Sequence, residues 1–227
     1  MTFNFTKYRK IYYSISIVLV LASLAAVFAF GLKLGIEFTG GSLIEVKFTD
    51  RPTNEHVQSQ LAELKLGDVL AQPTGEKALL LRLKEVDEAT HQEILKKLGN
   101  PEELSFESIG PVIGQELKSQ TLVAIVLALL AITLYIAFAF RKVSGRVSSF
   151  RYGLASLLAL FHDVLIPVGL FALLGKYANV EVDISFVAAL LTVLGFSVHD
   201  TIVVFDRVRE NLLKRSTLSF EETVNIS

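Results

Sequence analysis

Four long apolar stretches interrupt the polar pattern of the chain, at 11–31, 119–140, 152–174 and 184–206. At 1.5 Å per residue each can cross about 30 Å of hydrocarbon, so the pattern predicts four membrane-spanning helices. The first follows Lys7, Arg9 and Lys10. Its apolar run is too long for a signal peptide and lacks a small-residue cleavage pattern, so it reads as an uncleaved anchor.

Between the first two stretches, 32–118 changes periodicity in an orderly way. Ile44, Val46 and Phe48 alternate with Glu45 and Lys47 as a strand does, and Val57, Leu61 and Leu64 recur at helical spacing after Thr53, a candidate N-cap. A short run from Asp68 to Gln72, a turn at Pro73-Thr74-Gly75 and the alternation Leu79, Leu81, Leu83 predict a hairpin. Asp87 caps a second helix carrying Ile94, Leu95 and Leu98, which stops at Gly99-Asn100-Pro101, and Leu104 and Phe106 open a last strand. The order β-α-β-β-α-β is ferredoxin-like. The fold class is therefore a polytopic α-helical membrane protein with a small external α+β domain. No catalytic constellation, phosphate loop or metal spacing appears in that domain, and His56 and His91 read as solvated residues on polar helix faces.

Composition agrees: 52% of residues are hydrophobic, 20% are charged and mean hydropathy is +0.51, too apolar for an ordinary soluble domain. With no Cys, disulfides, Cys-ligated metals and thiol nucleophiles are excluded. The net charge of -1 offers no footprint for nucleic acid, but its distribution sets a topology. Lys7, Arg9 and Lys10, then Arg141, Lys142, Arg146 and Arg151 in the loop 141–151, then Arg207, Arg209, Lys214 and Arg215 in 207–227, all fall on one side of the predicted spans. The positive-inside rule makes that side cytoplasmic and includes residues 1–10 in it. The segment from Gly35 to Lys118, with nine basic and fifteen acidic residues, and the loop 175–183 belong outside.

Two spans carry ionisable doublets, His162-Asp163 and His199-Asp200. An Asp at mid-membrane costs about 2.5–3.5 kcal/mol on the insertion scale, and so asks for a partner, a water cavity or a function. Reversible protonation is one such function, and helix-to-helix hydrogen bonding is the structural alternative. Ser156 falls on roughly the face of Asp163, and Ser197 and Thr201 lie one turn apart. Gly169 and Gly195 would permit close helix approach. A complete metal site is disfavoured, because adjacent residues on a helix point about 100° apart and each span offers one good ligand. Paired Asp residues in neighbouring spans also raise an intramembrane aspartyl protease, although His199 stands where such enzymes carry glycine before the second Asp.

Particular strings then matter more than composition. Gly35-Ile36-Glu37-Phe38-Thr39-Gly40-Gly41, directly after the first span, resembles the GIDFTGG signature of the SecF family of bacterial protein-export membrane proteins. Ile109 to Gly114, Phe161-His162-Asp163-Val164 and Leu191 to Asn211 are similar to further elements of that family, in the same order. The last string includes Gly195, Ser197, His199, Asp200, Thr201, Asp206, Arg207, Arg209, Glu210 and Asn211. The resemblance implies a non-enzymatic subunit of the bacterial inner membrane that pairs with SecD. Together they would assist the SecYEG channel and its motor SecA, using protons as the coupling ion to draw exported preproteins outward. No cofactor or metal is implied, and Asp200 corresponds to the family's proton-coupling Asp, with His199 where relatives carry Asn. A proton-driven efflux transporter of the RND type has a similar helix arrangement and is the nearest alternative. The family has six spans and a downstream Arg in its proton path. On the resemblance, the chain reads as the first four spans of a six-span protein and is expected not to conduct protons alone.

Overall fold

The computed structural model describes residues 4–67, 69–139, 149–214 and 218–227. Asp68, most of the loop 141–151 with Arg141, Lys142 and Arg146, the side chain of Arg151, and Arg215 lie outside the described residues. The chain divides into two compact units, Leu34–Leu122 and the remainder.

A single turn of 3-10 helix, Phe5–Tyr8, leads into α1 (Arg9–Phe30), which ends at Gly31 with a φ of +69°. Then come the one-turn helix α2 (Ile36–Thr39), β1 (Gly41–Lys47), α3 (Asn54–Leu61), β2 (Leu70–Thr74), β3 (Ala78–Leu83), α4 (Glu88–Lys97) and β4 (Glu102–Ile109). The long helices α5 (Pro111–Ala139), α6 (Ser149–Tyr177) and α7 (Ile184–Lys214) follow, and α8 (Phe220–Ile226) ends the chain. Among the described residues, four helices are long and apolar enough to cross a membrane: Phe5–Phe30, Pro111–Ile136, Gly153–Tyr177 and Ile184–Lys214. Because α5 begins at Pro111, the boundary read from hydropathy at 118/119 falls inside one uninterrupted helix.

In the sheet unit the strand order is β2-β3-β1-β4, every pair antiparallel, with α3 and α4 as the two crossovers. This is the ferredoxin-like arrangement. Ile44 and Val46 of β1, Leu79 and Leu81 of β3, Val57 and Leu61 of α3 and Ile94 of α4 are fully buried together. Both helix caps are made: the Thr53 hydroxyl accepts from the His56 amide at 3.3 Å, and the Asp87 carboxylate accepts from the Thr90 amide at 2.9 Å.

Three details correct the sequence reading. The hairpin turn lies later than Pro73-Thr74-Gly75, because Pro73 pairs with Leu79 and Thr74 with Ala78 inside the ladder. Proline is tolerated there because β2 is an edge strand, where a missing N–H breaks no second ladder. In β4, a bulge sets Ser105 opposite Glu45 and Glu103 opposite Val46, so Leu104 has no partner and is 47% exposed instead of facing inward. His91, expected on a solvated face, is 2% exposed. It lies three residues before Ile94, on the same apolar stripe of α4. Its ring stacks on Phe106 at 3.8 Å between centroids, with Nδ1 3.3 Å from Glu88 and Nε2 3.4 Å from Glu103. The bulge that turns Leu104 out is what brings Glu103 to this ring.

The helical unit is organised around α6, which packs against both α1 and α7. The α1 contact is close: a Cβ added at Gly169 would stand 2.3 Å from that of Ser23, which is itself buried. Ile136 of α5, Leu160 of α6 and Leu194 and Val198 of α7 form an apolar cluster. α8 is fixed by a capping box between Ser219 and Glu222 and fastens the chain at Thr6 and Arg9. Asn225 accepts the Thr6 amide at 3.0 Å, and Glu221 pairs with Arg9 at 2.6 Å.

Two outcomes follow for the sheet unit. Ile44→Ala should lower its stability by about 2–5 kcal/mol and Leu104→Ala by under about 0.5 kcal/mol, read from amide hydrogen exchange of the lipid-reconstituted chain. The second concerns pH. Hydrogen bonds hold three carboxyls below the ordinary range: Glu63 through Lys97, Asp87 through Thr90, and Glu88 through Gln92 and His91. Groups whose pKa is lower folded than unfolded stabilise the fold above the unfolded value and lose that contribution as pH falls through the folded one. Exchange protection of this unit should therefore decline as pH drops below about 4, with no loss between about 6 and 8.

Candidate functional site

The helix α6 presents Asp163 toward α7, and this carboxylate is where the two spans meet through polar groups. The Ser197 hydroxyl donates to Asp163 Oδ2 at 2.7 Å, from 34 residues further along the chain. His162 Nδ1 lies 2.8 Å from the other oxygen, Oδ1. The imidazole thus shares the carboxylate with a hydroxyl from the opposite helix, and His162 Nε2 is shielded and without a hydrogen-bond partner among the described residues. Ser156, two turns back along α6, is buried. Sequence spacing had grouped Ser197 with Thr201 on its own helix; its partner instead comes from the neighbouring span.

Asp200 sits differently. It and His199 are exposed on the surface of the helical unit, and Asp200 has no hydrogen-bond or ion-pair partner among the described residues. Ser197 and Asp200 are three residues apart, about 300° around the helix, so they occupy adjacent stripes. The structure therefore separates the two intramembrane carboxylates: one is engaged between α6 and α7, the other lies on the outer face of α7. That is not the shared pair of carboxyls an aspartyl protease requires. Thr201 is half-buried. Gly195, read as a close-approach residue, has open space where a Cβ would stand, so close packing falls to Gly169 against Ser23.

At the carboxyl-terminal end of α7 the charged residues pair along the helix. Arg209 reaches Asp206 at 3.6 Å, Arg207 reaches Glu210 at 3.2 Å, and Lys214 reaches Glu210 at 2.5 Å. Asn211 donates to the Ser227 hydroxyl at 3.1 Å, tying α7 to α8.

The glycine string 35–41 forms a compact fold at the start of the sheet unit. Gly35 precedes α2, the Thr39 hydroxyl donates back to the Gly35 carbonyl at 2.9 Å, and Ile36 and Phe38 are buried. Gly40 and Gly41 then take φ values of +74° and +134°, which L residues rarely adopt. A Cβ on Gly40 would meet the Pro111 Cα at 2.7 Å, and one on Gly114 would meet the Gly40 nitrogen at 2.8 Å. Two glycines thus let the string lie directly on the first turn of α5. Glu37 is half-buried and its charge acts on Arg82, whose guanidinium donates to the Leu34 carbonyl at 3.2 Å. Arg82 escaped the sequence reading because it is a lone cation in an otherwise apolar strand.

Comparison with known proteins meets this geometry at both ends. The family described as Protein export membrane protein SecD/SecF, C-terminal, matches residues 90–227, and the SecD/SecF GG motif matches residues 25–50. The chain is 45% identical to the protein translocase subunit SecF of Thermobaculum terrenum, over 99% of this chain and 75% of that protein. It is 36% identical to that of Anaerolinea thermophila, over 96% and 72%. Among solved structures it resembles the crystal structure of SecDF, a translocon-associated membrane protein from Thermus thermophilus, with a TM-score of 0.82 and 30% identity. It also resembles a super-membrane-facing form of SecDF, with a TM-score of 0.63 and 31% identity. All of this chain corresponds to only 30% of the first SecDF chain. Neither the efflux transporter nor the protease finds support in these matches.

The glycine string yields a graded expectation. Gly75→Ala, at a φ of +68° with open space around it, should cost about 1–2 kcal/mol from backbone strain alone. Gly40→Ala should cost more, because the Pro111 backbone must also move; unfolding of the sheet unit followed by hydrogen exchange would rank the two.

Proposed function

The chain belongs to the SecD/SecF family of protein-export membrane proteins, and from that premise we propose that it acts as the SecF subunit of a SecDF-type complex. In this reading it pairs with SecD in the bacterial cytoplasmic membrane, with its amino terminus inside. It draws preproteins outward after SecA has driven them into SecYEG. The observation that carries the reading is the near-complete correspondence of the chain to SecF subunits, with the glycine string folded against the start of α5.

Protons are the coupling ion, with no other cofactor, and Asp200 is their site. An Asp exposed on an apolar helix is unfavourable in lipid by about 2.5–3.5 kcal/mol, which supports a protein neighbour or a hydrated path against that face of α7. Protonation removes the charge and with it the need for that neighbour, so the packing of α7 responds to proton occupancy. One charge crossing 100 mV is worth about 2.3 kcal/mol, more than a factor of ten in a two-state balance. The sheet unit holds the emerging chain while this balance shifts. His199, beside Asp200, replaces an amide with a titratable ring.

Asp200→Asn in the assembled complex should abolish the proton-gradient-dependent part of preprotein export into inverted membrane vesicles, while the chain still co-purifies with its partner subunit. Export at the parental rate would remove Asp200 from the mechanism.

A further inference from the structure

The half-buried carboxylate that bonds across the α6–α7 interface is not the one to which the coupling role has been given. Asp163 accepts the Ser197 hydroxyl across the α6–α7 interface and shares its other oxygen with His162 Nδ1. His162 Nε2 is shielded and without a hydrogen-bond partner among the described residues. Few other charges can compete for this site. Between Ile11 and Phe30, α1 carries Tyr12 and Tyr13 and no charged residue; from Ser119 onward, α5 carries Tyr135 as its one titratable group among the described residues; α7 contributes His199 and Asp200, both exposed, and further along Asp206, Arg207, Arg209, Glu210 and Lys214.

A groove flanks the bridge on one side. It opens between α6 and α7 with a volume of about 520 Å³, with Glu181 and Asp183 at its mouth and Pro167 and Val193 among its walls. Pro167 is four residues from Asp163 and Val193 four from Ser197, so the groove's lining comes to about one helical turn from the bridge on both helices.

We propose that His162, Asp163 and Ser197 form a second proton-binding site of this chain, in which the shared proton sets the sense of the hydrogen bond between α6 and α7. With the carboxylate ionised, Ser197 and His162 Nδ1 both donate to it. A proton delivered from water adds either to a carboxylate oxygen, forming its O–H bond, or to His162 Nε2, forming an imidazolium paired with the carboxylate. The two arrangements hold the same number of protons and differ only in where the proton sits. On the carboxyl, the proton neutralises Asp163 and adds a donor to its remaining acceptor sites; a proton on Oδ2 reverses the bond, so that Asp163 donates and the Ser197 oxygen accepts. Loss of the proton to water restores the starting arrangement. The link to export rests on the SecF reading above; the proton site itself does not.

The test is a pH-difference infrared titration of the assembled complex in lipid vesicles, run beside export measurements. Asp163→Asn should remove one titrating carboxyl signal, and Asp200→Asn should leave that signal in place. Ser197→Ala, which keeps the carboxyl, should shift its midpoint, and Ser197→Thr should return it; a purely structural Ser197 would move neither. The site is overturned if Asp163→Asn removes no signal, or if Ser197→Ala leaves the midpoint where it was. Should Asp163→Asn fail to assemble, the Ser197 pair decides alone. Parental export in Asp200→Asn with the Asp163 signal behaving as described would sink the proton role of Asp200 and leave this site standing.

Discussion

A carboxylate on a membrane-spanning helix must find its donors in protein or water, because hydrocarbon offers it none. Asp163 meets that constraint with a hydroxyl from α7 and the ring beside it on α6. Much of the helical unit is consistent with holding this arrangement. Gly169, six residues on, lets α1 lie against the opposite part of α6, and the Ile136, Leu160, Leu194 and Val198 cluster packs α5 and α7 around it. The inter-helix bond is therefore flanked by apolar packing. Such packing does not specify a unique pairing of helices by itself, whereas a hydroxyl and a carboxylate at 2.7 Å do.

The sheet unit obeys a different economy, since water can solvate its surface and only its interior is demanding. Its core is made by alternation on β1 and β3, and the two capped helices close it. Its one buried imidazole is tolerated because carboxylates from α4 and β4 stand at either nitrogen and an aromatic ring covers its face. The bulge at Leu104 exchanges an apolar contact for a polar one, which is how Glu103 comes to face the helix layer. At the other end of the unit, backbone and not side chain makes the contact: Gly40 and Gly114 let two main-chain segments touch.

What was legible in the sequence was whatever depends on local periodicity. The four apolar stretches, the alternation at Ile44–Val46 and Leu79–Leu83 and the caps at Thr53 and Asp87 each follow from spacing within a single element. What was not legible depends on a second element. The alternation of β4 slips by one residue only because β1 lies beside it, so Leu104 could not be turned outward from its own neighbours. Ser197 matched Thr201 by helical spacing, yet its bond goes to Asp163, a choice fixed by the rotation of α7 against α6. Gly195 looked equivalent to Gly169, and only the second has a helix against it. His91 is the exception, because its place three residues before Ile94 put it on the apolar stripe, and the polar character of the residue hid that position.

The two intramembrane carboxylates acquire a relation from this geometry that spacing alone did not suggest. Ser197 and Asp200 belong to one uninterrupted helix, less than a turn apart and on neighbouring stripes, with Ser197 turned to α6 and Asp200 turned away. A helix moves as a rigid element over so short a length. In the proposed mechanism, any rotation of α7 that brings Asp200 toward or away from a neighbour must also lengthen or realign the Ser197 bond to Asp163. Proton occupancy at either site then biases the same motion, and by linkage each site alters the proton affinity of the other. Coupling of this kind needs no extended pathway, only one rigid helix with a titratable contact on each of two faces.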